Sequence, residues 1–216
     1  MKKFFQQLGG LILAFYAELL WKTCKIEIEG WELVEDIQTG ETPFIVAAWH
    51  GQTHLLYPTF KGRLDLSRLA MPVVDDRRQA VLKVFARVVG AQTFPMISSD
   101  TTLAGARGMV ALMQALKTGK FGYIAPDGPD GPPRVAKEGI AFLAARLNAW
   151  LLPIGAFCRV CLHIRRWDRY SLPLPFSRIR VVFGQPIRAS RDMDRGQLLQ
   201  ELSQLMNSAL MAAGQD

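Results

Sequence analysis

Three cysteines in 216 residues are too few for a disulfide framework, which fits a reducing compartment. Cys158 and Cys161 form a lone C-x-x-C. Zinc would need a second ligand pair, and redox pairs of this spacing usually open a helix, whereas this one lies in a strand-like run. Internal repeats, low-complexity stretches and interdomain linkers are absent, so the length suits a single domain with a substantial core. Acidic residues are the minority, 19 against 26 basic, and the resulting net charge of +7 favours anionic partners: membrane headgroups or an acidic protein. No recognition motif accompanies the charge, which argues against nucleic acid. Near the N-terminus the uninterrupted apolar stretch Leu11–Ala17 is too short to span a bilayer, is closed by Glu18, and is followed by no A-x-A-like cleavage site.

What is present begins with that segment. Phe4, Phe5, Leu8, Leu11, Ile12, Phe15 and Leu19 fall on one broad helical face, with Lys2, Lys3 and Lys22 at the ends. The pattern predicts a membrane-interface helix over residues 1–23, ahead of a domain over residues 24–216. An ordinary core-packing helix and a single-span anchor are the alternatives. From there strands and helices alternate. Lys25–Gly30 has the period of a half-exposed edge strand, Asp36–Thr42 reads as a turn, and Phe44–Trp49 is a buried strand. Leu69–Val74 follows, then a helix capped by Asp75 or Asp76 and stopped at Gly90. Thr93–Ile97 is extended, and Ser98-Ser99-Asp100 can cap the next helix. Phe121–Ala125, Trp150–Phe157 and Ile179–Phe183 are further strands, with Val160–Ile164 extending the sheet. Lys137–Leu147 and a terminal helix from about Asp194 complete a single-domain α/β reading.

The chain is organised around Pro43–Gly51, where an apolar run of β-formers stops abruptly at Trp49-His50-Gly51. A histidine at the C-terminal end of a buried strand sits where open α/β sheets place ligands, and it titrates in the range suited to taking a proton from a hydroxyl. The bland alternative is a histidine that caps the next helix or is bonded to a backbone carbonyl. A second strand end carries the rigid loop Pro126-Asp127-Gly128-Pro129-Asp130-Gly131-Pro132-Pro133. His50 and His54 have the spacing of metal ligands on a helix, but the glutamate of H-E-x-x-H and an obvious third ligand are missing. Asp127 and Asp130, with Asp75 or Asp76, could instead hold Mg²⁺ in a metal-dependent phosphohydrolase.

Taken together, five blocks resemble the lysophospholipid acyltransferase superfamily, and most closely a bacterial branch that includes secondary acyltransferases of the Kdo-lipid A precursor. The blocks are Trp49-His50-Gly51; Gly90 with the Ser98–Arg107 helix start; Pro126-Asp127-Gly128-Pro129 with Gly131-Pro132, Lys137 and Gly139; Leu152-Pro153-Ile154; and Leu174-Pro175-Phe176-Ser177-Arg178. The resemblance covers about residues 25–188. It implies a mixed central sheet flanked by helices and direct transfer of an acyl group from a thioester, on acyl carrier protein or CoA, to a hydroxyl of a lipid A precursor or lysophospholipid-like acceptor. His50 would be the general base and a backbone donor would stabilise the oxyanion. Trp49, Gly51, Ser98, Ser99, Arg107, Gly128, Pro129 and Lys137 would line the substrate site. No metal or cofactor is implied, and the expected location is the cytoplasmic face of a bacterial inner membrane.

The chain departs from the family at three places. The carboxylate that in the superfamily orients the histidine from five residues downstream is replaced by Leu55; Asp130 stands where the branch usually has arginine; and Asp75-Asp76-Arg77-Arg78 replaces a Ser-rich segment. Leu55 keeps open a non-catalytic lipid-binding member of the same fold. Among the carboxylates at strand ends, Asp127 alone matches a carboxylate of the family motif. It is expected beside His50, either bonding it or holding the acceptor loop, with a purely local turn role as the rival.

Overall fold

The buried run at Phe44 becomes the central strand of an eight-stranded mixed sheet. The computed structural model describes residues 2–74, 79–96 and 103–214. In chain order the elements are α1 (Lys2–Thr23), β1 (Lys25–Glu29), α2 (Glu32–Gln38), β2 (Phe44–Ala47), α3 (Thr53–Phe60), β3 (Leu69–Val74), α4 (Gln79–Val89), β4 (Gln92–Met96), α5 (Leu103–Lys117), β5 (Phe121–Ile124), α6 (Glu138–Leu147), β6 (Trp150–Cys158), β7 (Cys161–His163), β8 (Ser171–Pro173), β9 (Arg178–Phe183), β10 (Ile187–Arg188) and α7 (Arg195–Ala213). The sheet order is β1-β9-β6-β2-β5-β3-β4, with β10 added to the edge of β6. Strands β6, β2, β5, β3 and β4 run parallel, whereas β9 and β10 meet β6 antiparallel.

Side chains alternate across β2, and both faces are covered. Phe44, Val46 and Ala48 enter one core, together with Leu152, Ile154 and Phe60. Ile45, Ala47 and Trp49 enter the other, together with Leu143, Leu151 and Leu202. This two-sided burial is why the strand reads as a continuous apolar run rather than an alternating one. Helix α7 lies over β6 so closely that a Cβ at Gly155 would stand 2.1 Å from the backbone nitrogen of Leu210. Asp194 caps α7 by accepting the Gln197 N–H at 2.8 Å, and Gly214 ends it at φ +112°.

Helix α1 packs through a narrow stripe. A Cβ at Gly10 would fall 2.4 Å from Cβ of Val84 on α4, so the two helices cross at near backbone contact. Ala14, Ala17 and Leu20 are buried along the same side, and Glu18 anchors the helix to α3 through Tyr57 and Lys61. Phe4, Phe5, Leu8, Leu11, Ile12 and Phe15 remain between 41% and 71% exposed.

Two local expectations are corrected. Val160–Ile164 does not extend the main sheet: β9 already occupies that edge of β6, and β7 instead pairs with β8 in a separate two-stranded ribbon. The segment expected as a turn from Asp36 begins inside α2, because Val34 and Ile37 share a buried face. Asp75, Asp76, Ser98 and Ser99 lie outside the described residues.

Replacing Gly155 with valine puts two methyl-bearing branches where the α7 backbone lies. The variant is expected to lose roughly 3 kcal/mol or more of stability, seen as a lower urea midpoint with unchanged denaturant slope.

Candidate active site

The parallel register of β2 and β5 assembles the first half of the site. Ala47 is paired with Ile124, so the residues three positions beyond each, His50 and Asp127, come out level at the C-terminal edge of the sheet. Asp127 is buried, and its Oδ1 accepts the backbone N–H of His50 at 2.9 Å. Its Oδ2 accepts the N–H of Arg134 at 3.1 Å. Asp127 therefore ties the end of β2 to its own loop through backbone amides, and the imidazole of His50 is bonded elsewhere.

The ring's partner is Asp168, from the loop between β7 and β8. Nδ1 of His50 lies 2.6 Å from Oδ2 of Asp168, whose side chain is 1% exposed. A carboxylate only accepts, so Nδ1–H donates and the unprotonated nitrogen is Nε2. That is the tautomer a general base needs, and the carboxylate would stabilise the imidazolium formed on proton uptake. The Arg166 guanidinium stands 3.5 Å from the same Oδ2. The rings of Trp167 and Tyr170 pack against the imidazole, each with a centroid separation of 5.5 Å.

Three motif glycines make this closure possible. A Cβ on Gly51 would sit 2.4 Å from the carbonyl oxygen of Asp168, one on Gly128 would sit 2.8 Å from Cδ2 of His50, and one on Gly131 would strike the Trp167 ring at 2.7 Å. Space, rather than backbone freedom, is what Gly51 and Gly128 supply.

Of the remaining expected site residues, Trp49 and Gly51 line a polar cavity together with Asp127 and Asp168. Trp49 is buried, with its indole N–H donating to Asn207 Oδ1 at 2.9 Å, which ties the strand end to α7. Pro129 sits in the loop beside Gly128. Arg107 and Lys137 are solvent-exposed, and among the described residues their side chains make no hydrogen bond to His50, Asp127 or Asp168. Leu55, at the family's carboxylate position, is 1% exposed and belongs to the core, where an ionised group would be severely penalised. Asp168 itself was not anticipated. The only signal for it in the sequence is one acid in the otherwise basic and aromatic run Arg165–Tyr170, and no spacing rule connects it to a histidine 118 residues away.

A polar cavity of about 420 Å³ opens beside the dyad, with Asp127, Arg134, His163, Trp167, Asp168 and Arg169 among its walls. A second, almost wholly apolar cleft lies between α1, α3 and α4, lined in part by Tyr16, Leu20, Phe60, Phe85, His54 and Tyr170. His54 is no partner for His50 in binding a proton: burial, with the neighbouring His50, pushes it down to about 4. Its Nδ1 meets the Tyr170 hydroxyl at 3.3 Å. Burial likewise holds Tyr170 up at about 12.

No family model matches the chain. An uncharacterized protein of Rickettsia prowazekii (strain Madrid E) is 27% identical over 158 residues, covering 73% of this chain and 70% of that protein. The crystal structure of the 1-acyl-sn-glycerophosphate acyltransferase PlsC from Thermotoga maritima aligns over 96% of this chain and 81% of its own, with a TM-score of 0.61 and 13% identity. The mixed sheet flanked by helices is thus the fold of that acyltransferase.

Two outcomes follow from the site. In ¹⁵N spectra of labelled protein, His50 should show Nδ1 as the protonated nitrogen, and Asp168→Asn should abolish this preference while circular dichroism stays native; an unchanged tautomer would remove Asp168 from the role of positioning residue. His54 makes stability depend on pH. Its ordinary value is 6.5, so as pH falls the unfolded chain takes the proton first. Stability conferred by neutral His54 is complete above about pH 6.5 and is lost towards pH 4, by up to about 1.4 kcal/mol per pH unit. His54→Gln should flatten that part of the curve of urea midpoint against pH.

Proposed function

We propose that this chain is an O-acyltransferase in which His50, oriented by Asp168, takes the proton from an acceptor hydroxyl as that oxygen attacks an acyl thioester. The observation that carries the reading is the 2.6 Å bond between His50 Nδ1 and Asp168 Oδ2 at a strand end of a PlsC-like fold. The bond supplies from a distant loop the carboxylate that Leu55 lacks. That observation disfavours the non-catalytic alternative. The phosphohydrolase alternative requires Asp127 to offer its oxygens to Mg²⁺, and both accept backbone N–H groups.

In the proposed reaction the hydroxyl proton moves to Nε2, a C–O ester bond forms and the C–S bond breaks. The donor sulfur leaves as a thiolate and takes the proton from the imidazolium, which returns His50 to its neutral form. The fixed imidazole contributes on the order of 10² to 10⁴ in rate. The apolar cleft beside Tyr170 suits an acyl chain, and the polar cavity with Arg134 and Arg169 suits the polar end of an acceptor or donor. Acyl carrier protein and acyl-CoA are both anionic, and both fit the +7 charge. We assign the acceptor to the lipid A precursor or lysophospholipid class, and the location to the cytoplasmic face of a bacterial inner membrane, with α1 in its interface.

Mass spectrometry of lipids from cells with and without the gene would identify the acceptor. With purified protein and that acceptor, His50→Gln should lower turnover by roughly 10²-fold or more while leaving the thermal midpoint in place, and a chelator should have no effect. Near-normal turnover in His50→Gln would sink the proposal, and activity lost to chelator and restored by Mg²⁺ would favour the hydrolase.

A further inference from the structure

The β7–β8 ribbon presents a face that none of the described residues covers. Its register pairs Leu162 with Leu172 and Cys161 with Pro173, and the Leu174 N–H donates to the carbonyl of Val160 at 3.1 Å. Alternation therefore puts Val160, Leu162, Ile164, Leu172 and Leu174 on one side. Val160 is 53%, Leu162 59%, Ile164 40% and Leu174 39% exposed. The turn that follows presents Phe176, 82% exposed and held at φ +65°, a conformation unfavourable for an aromatic residue. A bulky apolar side chain that is both exposed and held in an unfavourable backbone conformation buries little surface against this fold, and the ribbon residues before it group with it rather than standing scattered.

Two features identify what covers it. The rim is basic: Arg159, Arg165 and Arg169 are exposed around the ribbon, and the chain as a whole carries +7. The ribbon also adjoins α1: the Tyr16 hydroxyl donates to the carbonyl of Pro173 at 2.7 Å and the Cys24 thiol approaches that of Leu174 at 3.5 Å. Phe15, beside Tyr16, is 71% exposed. Exposed apolar side chains thus stand on two elements that touch, Phe4 to Phe15 on α1 and the ribbon with Phe176, and arginines rim the ribbon, which is the chemistry of an anionic bilayer interface.

We propose that the β7–β8 ribbon and Phe176 form a second membrane-binding element that inserts beside α1 into the interface of an anionic bilayer. The loop of the same ribbon carries Asp168, so the element that touches lipid also completes the dyad. This last link rests on the proposed acyltransferase reading; the binding itself does not.

The test uses the full chain and vesicles of phosphatidylcholine, with and without phosphatidylglycerol, scored by flotation. Leu162→Asp combined with Phe176→Asp should weaken partition onto the anionic vesicles by roughly tenfold or more, the scale expected for withdrawing two large apolar side chains from the interface. Met211→Asp, on α7 across the sheet and 68% exposed, should bind like the parent. Arg159→Gln with Arg165→Gln should weaken binding to anionic vesicles and leave the neutral ones unaffected. Unchanged flotation of the Leu162/Phe176 variant would overturn the proposal. So would a parent that is dimeric without lipid and becomes monomeric on Leu162→Asp, since the patch would then join two copies. An acidic acyl carrier protein that binds the parent and loses the Leu162/Phe176 variant, with flotation intact, would overturn it equally. Flotation requires no turnover, so an inactive protein that still partitions as described would refute the acyltransferase reading and leave this one standing.

Discussion

Everything at the working end of this molecule depends on two strand ends being level. The parallel pairing of β2 with β5 makes His50 and Asp127 neighbours before any side-chain chemistry is considered. The buried Asp127 carboxylate then fixes that relation by accepting two backbone N–H groups, one from each segment. Losing this carboxylate would leave two donors orphaned at about 1–3 kcal/mol each. The His50 ring is therefore placed by main-chain geometry and aimed by a different residue.

That division of labour explains what could be read from the sequence. The α/β architecture was legible because β2, β5 and β6 are apolar on both faces and bounded by turn chemistry, while α4 and α7 carry clear helical stripes. His50 was legible for the same reason: a strand that stops at His-Gly stands out. The Asp127 loop was legible as a rigid turn at a neighbouring strand end, and its contact is with a backbone amide of His50 rather than its ring.

Asp168 was not legible, because the contact joins residues 118 apart through a ribbon whose pairing depends on the completed sheet. The composition around it, Arg165-Arg166-Trp167 and Arg169-Tyr170, suggests a surface that binds anions and hides the one acid that turns inward. Tertiary structure decided the matter twice over. Leu55 was drawn into the core, and the glycines at 51, 128 and 131 cleared the volume into which the loop folds. A glycine in a motif is usually read as backbone freedom, but at 51 and 128 its value lies in an absent methyl group.

The sequence separation of His50 and Asp168 also has a bearing on biosynthesis. A histidine with its carboxylate five residues away would have its partner as soon as one strand end formed. In this chain β2 and His50 leave the ribosome long before Asp168, and the ribbon that carries Asp168 leans on α1, already made, through Tyr16. A nascent chain, or one whose ribbon has come loose, holds an imidazole with no fixed tautomer. The His50–Asp168 arrangement exists only in the finished protein, so fragments and partly folded chains lack the oriented imidazole on which the proposed reaction depends.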